Sequence, residues 1–160
     1  MTSSRVDVVT CEPTATMVVR ADLTWAEFRE QWPVMLGEVW DHLKQHPQTR
    51  PGRSVMVYRA PTAGSGAEVG VEIGVEVAGQ APEVGRIVAS QLPGGRAAHV
   101  IHEDGPATID AAYRALDAWG PEAGAGEAGA GERFASESWE VYGQPGADGS
   151  YPIDVFRLLA

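Results

Sequence analysis

The sequence predicts an α+β protein of duplicated β-α-β-β modules, with curved antiparallel sheets, two helices on one face and a ligand groove on the other. Three observations lead there. Thr24 stands three residues before Glu27, the spacing of a capping box, and opens an amphipathic stripe. Residues 69–77 alternate apolar side chains with Gly and Glu at period two, the pattern of a strand. Ser54-Val55-Met56-Val57-Tyr58 aligns with Ser138-Trp139-Glu140-Val141-Tyr142 at an offset of 84, which also brings Thr24 onto Thr108 and Trp25 onto Ile109. Two elements agreeing at one offset point to an internal duplication.

The elements follow in order. Thr16, Val18 and Arg20 alternate with Met17 and Val19 as on a half-buried strand. Trp25, Phe28, Trp32, Met35, Leu36, Val39 and Leu43 then recur at helical steps, with Trp25 and Phe28 assigned to the core. Pro33 predicts a kink, or a junction at Gln31–Trp32 between a short turn and a second helix. Residues 54–60 and 69–77 form two strands around the hairpin loop PTAGSGAE. Val84–Ser90 and Ala97–His102 are further strands, separated by the turn LPGG.

Pro106 opens a second helix whose stripe is Ile109, Ala112, Tyr113, Leu116 and Trp119, with Trp119 in the core and Gly120-Pro121 as its stop. The tract EAGAGEAGAGE cannot bury a core face, so residues 121–133 are expected to form a low-complexity surface loop. Strands at 136–142 and 153–158 complete the second half. The whole chain, 1–160, is expected to be one domain, with pseudo-repeats at about 1–80 and 81–160.

Composition bounds the function. A hydrophobic fraction of 44% is too high for wholesale disorder. With 22 acidic against 12 basic residues the net charge is −10, which repels phosphate backbones and anionic lipid. Direct nucleic-acid or membrane partners are therefore not expected, whereas cationic partners fit. Cys11 is the only cysteine, which excludes an internal disulfide and a Cys-rich metal site. No apolar run approaches the roughly 18 residues that span a bilayer, and no signal-peptide pattern opens the chain. A cytoplasmic monomer or homodimer without a cofactor is the expectation.

Three features in order carry a family resemblance. They are His102-Glu103-Asp104-Gly105-Pro106 leading into the second helix, the helix Ala112-Tyr113-Arg114-Ala115-Leu116-Asp117-Ala118-Trp119, and the strand Trp139-Glu140-Val141-Tyr142 followed by a turn and a last apolar strand. The chain resembles the GyrI-like small-molecule-binding domain, the effector-binding domain of AraC- and MerR-type regulators, in a stand-alone form. It departs in two places: Ala107 stands where the family has an aromatic residue, and one extra residue separates the His from the Gly.

On a strand, Ser138, Glu140 and Tyr142 point one way while Trp139 and Val141 point the other. Trp139 and Val141 suit a helix-packed face, which assigns Glu140 to the open face with Tyr142 and, from the other half, Met56 and Tyr58. By its residues alone Glu140 is a solvated strand acid. The resemblance implies instead a pocket carboxylate that meets the cationic part of a bound ligand. The expected ligand-binding set is Glu140, Tyr142, Tyr58, Met56, Ser138 and Tyr113.

The ligand implied is a hydrophobic, cationic or planar drug or natural product, bound for sensing or resistance. The alternative is a small enzyme of natural-product metabolism or self-resistance, such as a cyclopropane-opening hydrolase or a dehydratase. Glu140 would then be the general acid or base, with Tyr142 and Tyr58 as its catalytic partners. A protein-binding role has only the net charge behind it.

The remaining candidates carry blander readings. His42 and His46 have an i, i+4 spacing that can chelate zinc, but no third ligand follows, and a histidine-rich helix C-terminus complements the macrodipole. His99 and His102 fall on opposite faces of a strand, so no metal site is expected. Gly64-Ser65-Gly66 lacks the lysine and helix of a phosphate loop. Glu72 and Glu76 share a face, which is either the groove or solvent.

Overall fold

The computed structural model describes residues 5–79, 81–103, 105–120, 134–143 and 151–160. Its strands are β1 (Asp7–Cys11), β2 (Thr14–Leu23), β3 (Arg50–Arg59), β4 (Val69–Ala78), β5 (Ile87–Leu92), β6 (Gly95–His102), β7 (Phe134–Tyr142) and β8 (Ile153–Leu159). The helices are α1 (Trp25–Lys44) and α2 (Asp110–Trp119). The expected loop at 121–133 lies outside the described residues.

The chain divides into two compact units, Pro13–Pro93 and a second made of Met1–Glu12 with Gly94–Ala160. In the first, the strands run β3-β4-β2-β5, every pair antiparallel. In the second they run β7-β8-β6-β1, again antiparallel. Each unit is thus a β-α-β-β module with one added edge strand, the α+β architecture that the repeat predicts. The edge strands are exchanged along the chain: β1 precedes β2 but pairs with β6, and β5 precedes β6 but pairs with β2. A boundary drawn near residue 80 and the contact boundary at Pro93 differ by that one strand.

In the Pro13–Pro93 unit, Thr24 caps α1 with a full capping box: its hydroxyl accepts from the Glu27 amide at 3.1 Å, and the Glu27 carboxylate accepts from the Thr24 amide at 2.9 Å. The helix runs through Pro33 without a break, so the expected junction at Gln31–Trp32 does not occur. Pro33 lacks only the one amide that would bond the carbonyl four residues back. Met35, Val39 and Leu43 are its buried apolar residues. The helix lies over the sheet face that carries Ser54, Met56 and Tyr58. Trp40 donates its indole N–H to Ser54 Oγ at 3.2 Å, and Tyr58 meets the rings of Trp25 and Phe28.

Gly74 stands opposite Val18 in the antiparallel β2–β4 pair, where the backbones approach closely. A Cβ there would stand 1.9 Å from the Met17 carbonyl oxygen, so a glycine at this position is a packing requirement.

Four local readings differ from expectation. Strand β1 has no counterpart in the sequence pattern, because its five residues are half-buried or exposed and carry no apolar alternation. Strand β3 starts at Arg50, four residues early, through an irregularity between Pro51 and Ser54. Val84 is not in β5; it closes a tight turn with Ile87 through paired backbone bonds of 3.2 and 3.0 Å. Pro106–Thr108 form a 3-10 turn and α2 starts only at Asp110, because Ile109 offers no capping side chain. The Thr108 hydroxyl, at the position matching the Thr24 cap, lies 3.0 Å from His102 Nε2 instead.

Candidate functional site

In the second unit, α2 buries Ala112, Leu116 and Trp119 against Ala98 and Val100 of β6 and Ile153 and Val155 of β8. Glu140 stands opposite Val155 in the β7–β8 ladder, and Tyr142 stands opposite Ile153. Partners across a ladder share a face, so Glu140 and Tyr142 project toward the α2 side. This corrects the sequence reading, which gave that side to Trp139 and Val141. The helix follows the apolar residues of β6 and β8, and their register determines which residues of β7 share its face. Trp139 is buried on the opposite side, stacked on Phe156 at 5.0 Å and 10°, with the His99 ring tilted by 30° against Phe156 at 4.7 Å.

Glu140 is 3% exposed. Tyr113, on the inward edge of α2, donates its hydroxyl to Glu140 Oε2 at 2.5 Å, and the Tyr142 hydroxyl donates to Oε1. Ser138 hydrogen-bonds the Tyr113 hydroxyl, and the ring of Tyr151 lies 6.3 Å from that of Tyr142. Burial first, and then the charge of Glu140, push both phenols well above the ordinary tyrosine value. Both therefore remain O–H donors at neutral pH. Two O–H donors orient the carboxylate, which lies buried among aromatic rings.

The structure thus brings Ser138, Glu140, Tyr142 and Tyr113 together in one unit. Tyr58 and Met56 belong to the other, where the Tyr58 hydroxyl points to Met56 Sδ at 3.5 Å. The rings of Phe28 and Trp25 lie 5.7 and 6.1 Å from that of Tyr58. Trp25 is 41% exposed, which corrects its assignment to the core, and Phe28 is only half-buried. As the first residue of α1, Trp25 sits at the helix end, beyond the sheet-covered part of the stripe. That position, directly after the cap, was the available signal. Trp119 is buried as expected.

Glu72 and Glu76 lie on the face opposite α1. Glu72, 1% exposed, pairs with Arg20 and Arg59 at 3.1 Å each and accepts from Ser90 Oγ at 2.6 Å. Glu76 pairs with Arg53 at 3.0 Å. His42 is buried with Nε2 2.7 Å from the Pro82 carbonyl oxygen, and its ring packs on His46. His102 Nε2 lies 2.9 Å from the Gly105 carbonyl oxygen, which ties down the turn before α2. Burial raises the Cys11 thiol pKa, so it is no activated nucleophile. Among the described residues, no group of three or more His, Cys, Asp or Glu is placed to hold a metal. Nor is any helix among them long and apolar enough to cross a membrane.

The fold and this locus define a duplicated α+β domain whose chemically distinctive feature is a buried, tyrosine-held carboxylate. The chain belongs to the family of GyrI-like small molecule binding domains, whose profile matches residues 5–144. It is similar in structure to the EcmrR C-terminal domain, with a TM-score of 0.72 at 13% identity, covering 98% of each chain. It also resembles SAV2435 bound to tetraphenylphosphonium, with a TM-score of 0.58 at 8% identity over 98% of this chain and 94% of that one. A hydrolase encoded by lin2189 from Listeria innocua gives a TM-score of 0.58 at 5% identity, over 98% and 92%. At such identities the likeness is one of fold. No curated protein sequence matches the chain.

Proposed function

We propose that this protein binds a hydrophobic organic cation through Glu140, as a sensor or sequestering resistance module. The observation that carries this reading is the buried Glu140 carboxylate gripped by the hydroxyls of Tyr113 and Tyr142. A buried anion gains most from a cation that brings its own apolar surface, because neither partner then gives up much hydration. Tyr142, Tyr113 and Ser138 line the carboxylate and supply ring and hydroxyl contacts. The solved relative with tetraphenylphosphonium bound is a fold-level parallel for such a ligand.

A second reading is catalytic. It rests on the pairing of one carboxylate with two protonated phenols, and on the fold shared with a Listeria hydrolase. For a strained cyclopropane conjugated to a carbonyl, Glu140 accepts a proton from water as the water oxygen bonds to the ring carbon. The ring bond breaks toward the carbonyl, whose oxygen takes the proton of a tyrosine hydroxyl. Glu140 then returns its proton to the phenolate.

A mass-spectrometric depletion assay separates the two. Hydrophobic cations and cyclopropane-containing electrophiles are incubated at about a hundredfold excess. Retention near one equivalent without new products is the expected outcome, and turnover abolished in Glu140→Gln would make the protein an enzyme.

A further inference from the structure

We infer that Arg20 and Arg59, held together by the buried Glu72, form a second binding site that takes a small oxyanion, a phosphate or carboxylate group. The site lies wholly within the Pro13–Pro93 unit, on the sheet face opposite α1, and does not depend on the reading above. Both arginines reach the same oxygen: Arg20 Nε and Arg59 Nη2 each stand 3.1 Å from Glu72 Oε2. Ser90 donates its hydroxyl to Oε1 at 2.6 Å. Two guanidiniums on one carboxylate leave a positive charge over. Asp22, further along the same face of β2, accepts from the Thr62 amide at 3.3 Å.

Neutralising a carboxylate on this face takes only one arginine. Glu76, two positions along the same face of β4, is matched by Arg53 alone, with Nε 3.0 Å from Oε1 and Nη2 3.3 Å from Oε2. At Glu72 the second arginine is in excess, and its donors are not all met. Arg59 Nε is enclosed and has no hydrogen-bond acceptor, which is costly for a charged group. Arg20 directs Nε to Glu72 and Nη2 to Ser90 Oγ at 3.4 Å, which leaves Nη1 to turn outward. The two side chains are 58% and 38% exposed, so a ligand reaches them from solvent, and a small shift of Arg59 presents its Nε. Guanidinium forks match the oxygens of phosphate and carboxylate groups. The net charge of −10 disfavours polyanions, so the ligand carries a single anionic group.

The test follows the arginine Nε–H resonances of the full chain by NMR, titrated with inorganic phosphate and with acetate, against sodium chloride at matched ionic strength. Phosphate or acetate should shift the Arg20 and Arg59 signals saturably, and chloride should not. The stronger of the two identifies the anionic group. Arg20→Gln should weaken binding read at Arg59 about tenfold, the scale of a charge-assisted contact. Arg20→Lys, which keeps the charge but loses the fork, should recover only part of it. Circular dichroism melts verify that each variant is folded. Glu140→Gln should leave the anion response unchanged, so failure here leaves the proposed function standing. No saturable shift with either anion, a shift that chloride reproduces, or equal affinity in Arg20→Gln would overturn the inference and reduce the cluster to a structural ion pair.

Discussion

Glu140 shows how far a single residue can be read. Its strand alternation set it apart from Trp139 and Val141 correctly, but the direction of the alternation was reversed. Polarity says which residues share a face, and only the packing of a helix on neighbouring strands says which face is covered. Tyr113 was legible as a stripe residue of α2; its hydroxyl contact with Glu140 was not, because it depends on the register between helix and sheet. Two outcomes follow at this scale. Tyr113 and Tyr142 have raised pKa values, so their neutral forms favour the folded state. Stability is then retained below pH about 10 and falls above it, as the same tyrosines ionise in the unfolded chain, by up to about 1.4 kcal/mol per pH unit for each. Urea melts across pH 8–11 should show this slope, and it should flatten in Tyr113→Phe/Tyr142→Phe. Gly74→Ala, in turn, drives a methyl into the Met17 carbonyl and should cost more than about 3 kcal/mol, read as a large drop in the urea midpoint.

Among the elements, the long ones were legible. The capping box and stripe of α1, and the period-two run of β4, each combine many residues into one signal. The short edge strand β1 and the uncapped start of α2 were not, since five half-exposed residues or a missing cap leave no periodic trace. The face of Glu72 and Glu76 was undecidable for the same reason as that of Glu140. Its resolution has an energetic consequence. Glu72 links β2, β3, β4 and β5 through Arg20, Arg59 and Ser90. Both arginines are partly exposed, so solvent screens them and moderates the loss. Glu72→Gln should therefore destabilise by about 1–3 kcal/mol, less than a fully buried ion pair would, and a thermal melt measures it. Thr24→Ala removes one half of the capping box and should cost about 1 kcal/mol.

For the whole molecule, the duplication was visible because sequence identity survives at the strand equivalents Ser54–Tyr58 and Ser138–Tyr142. The exchange of edge strands was hidden, since it alters pairing without altering the order of elements. The duplication does not repeat the carboxylate: where one half has Glu140 the other has Met56. The net charge of −10 adds a long-range attraction for cations that salt screens, whereas the buried Glu140 contact is screened less. The most direct measurement is a calorimetric titration of tetraphenylphosphonium into the protein and into Glu140→Gln at 0.15 M salt. The account predicts binding near one equivalent that weakens by about 1.5–3 kcal/mol in the variant, with its melting temperature nearly unchanged. Equal affinity in the two proteins would contradict it.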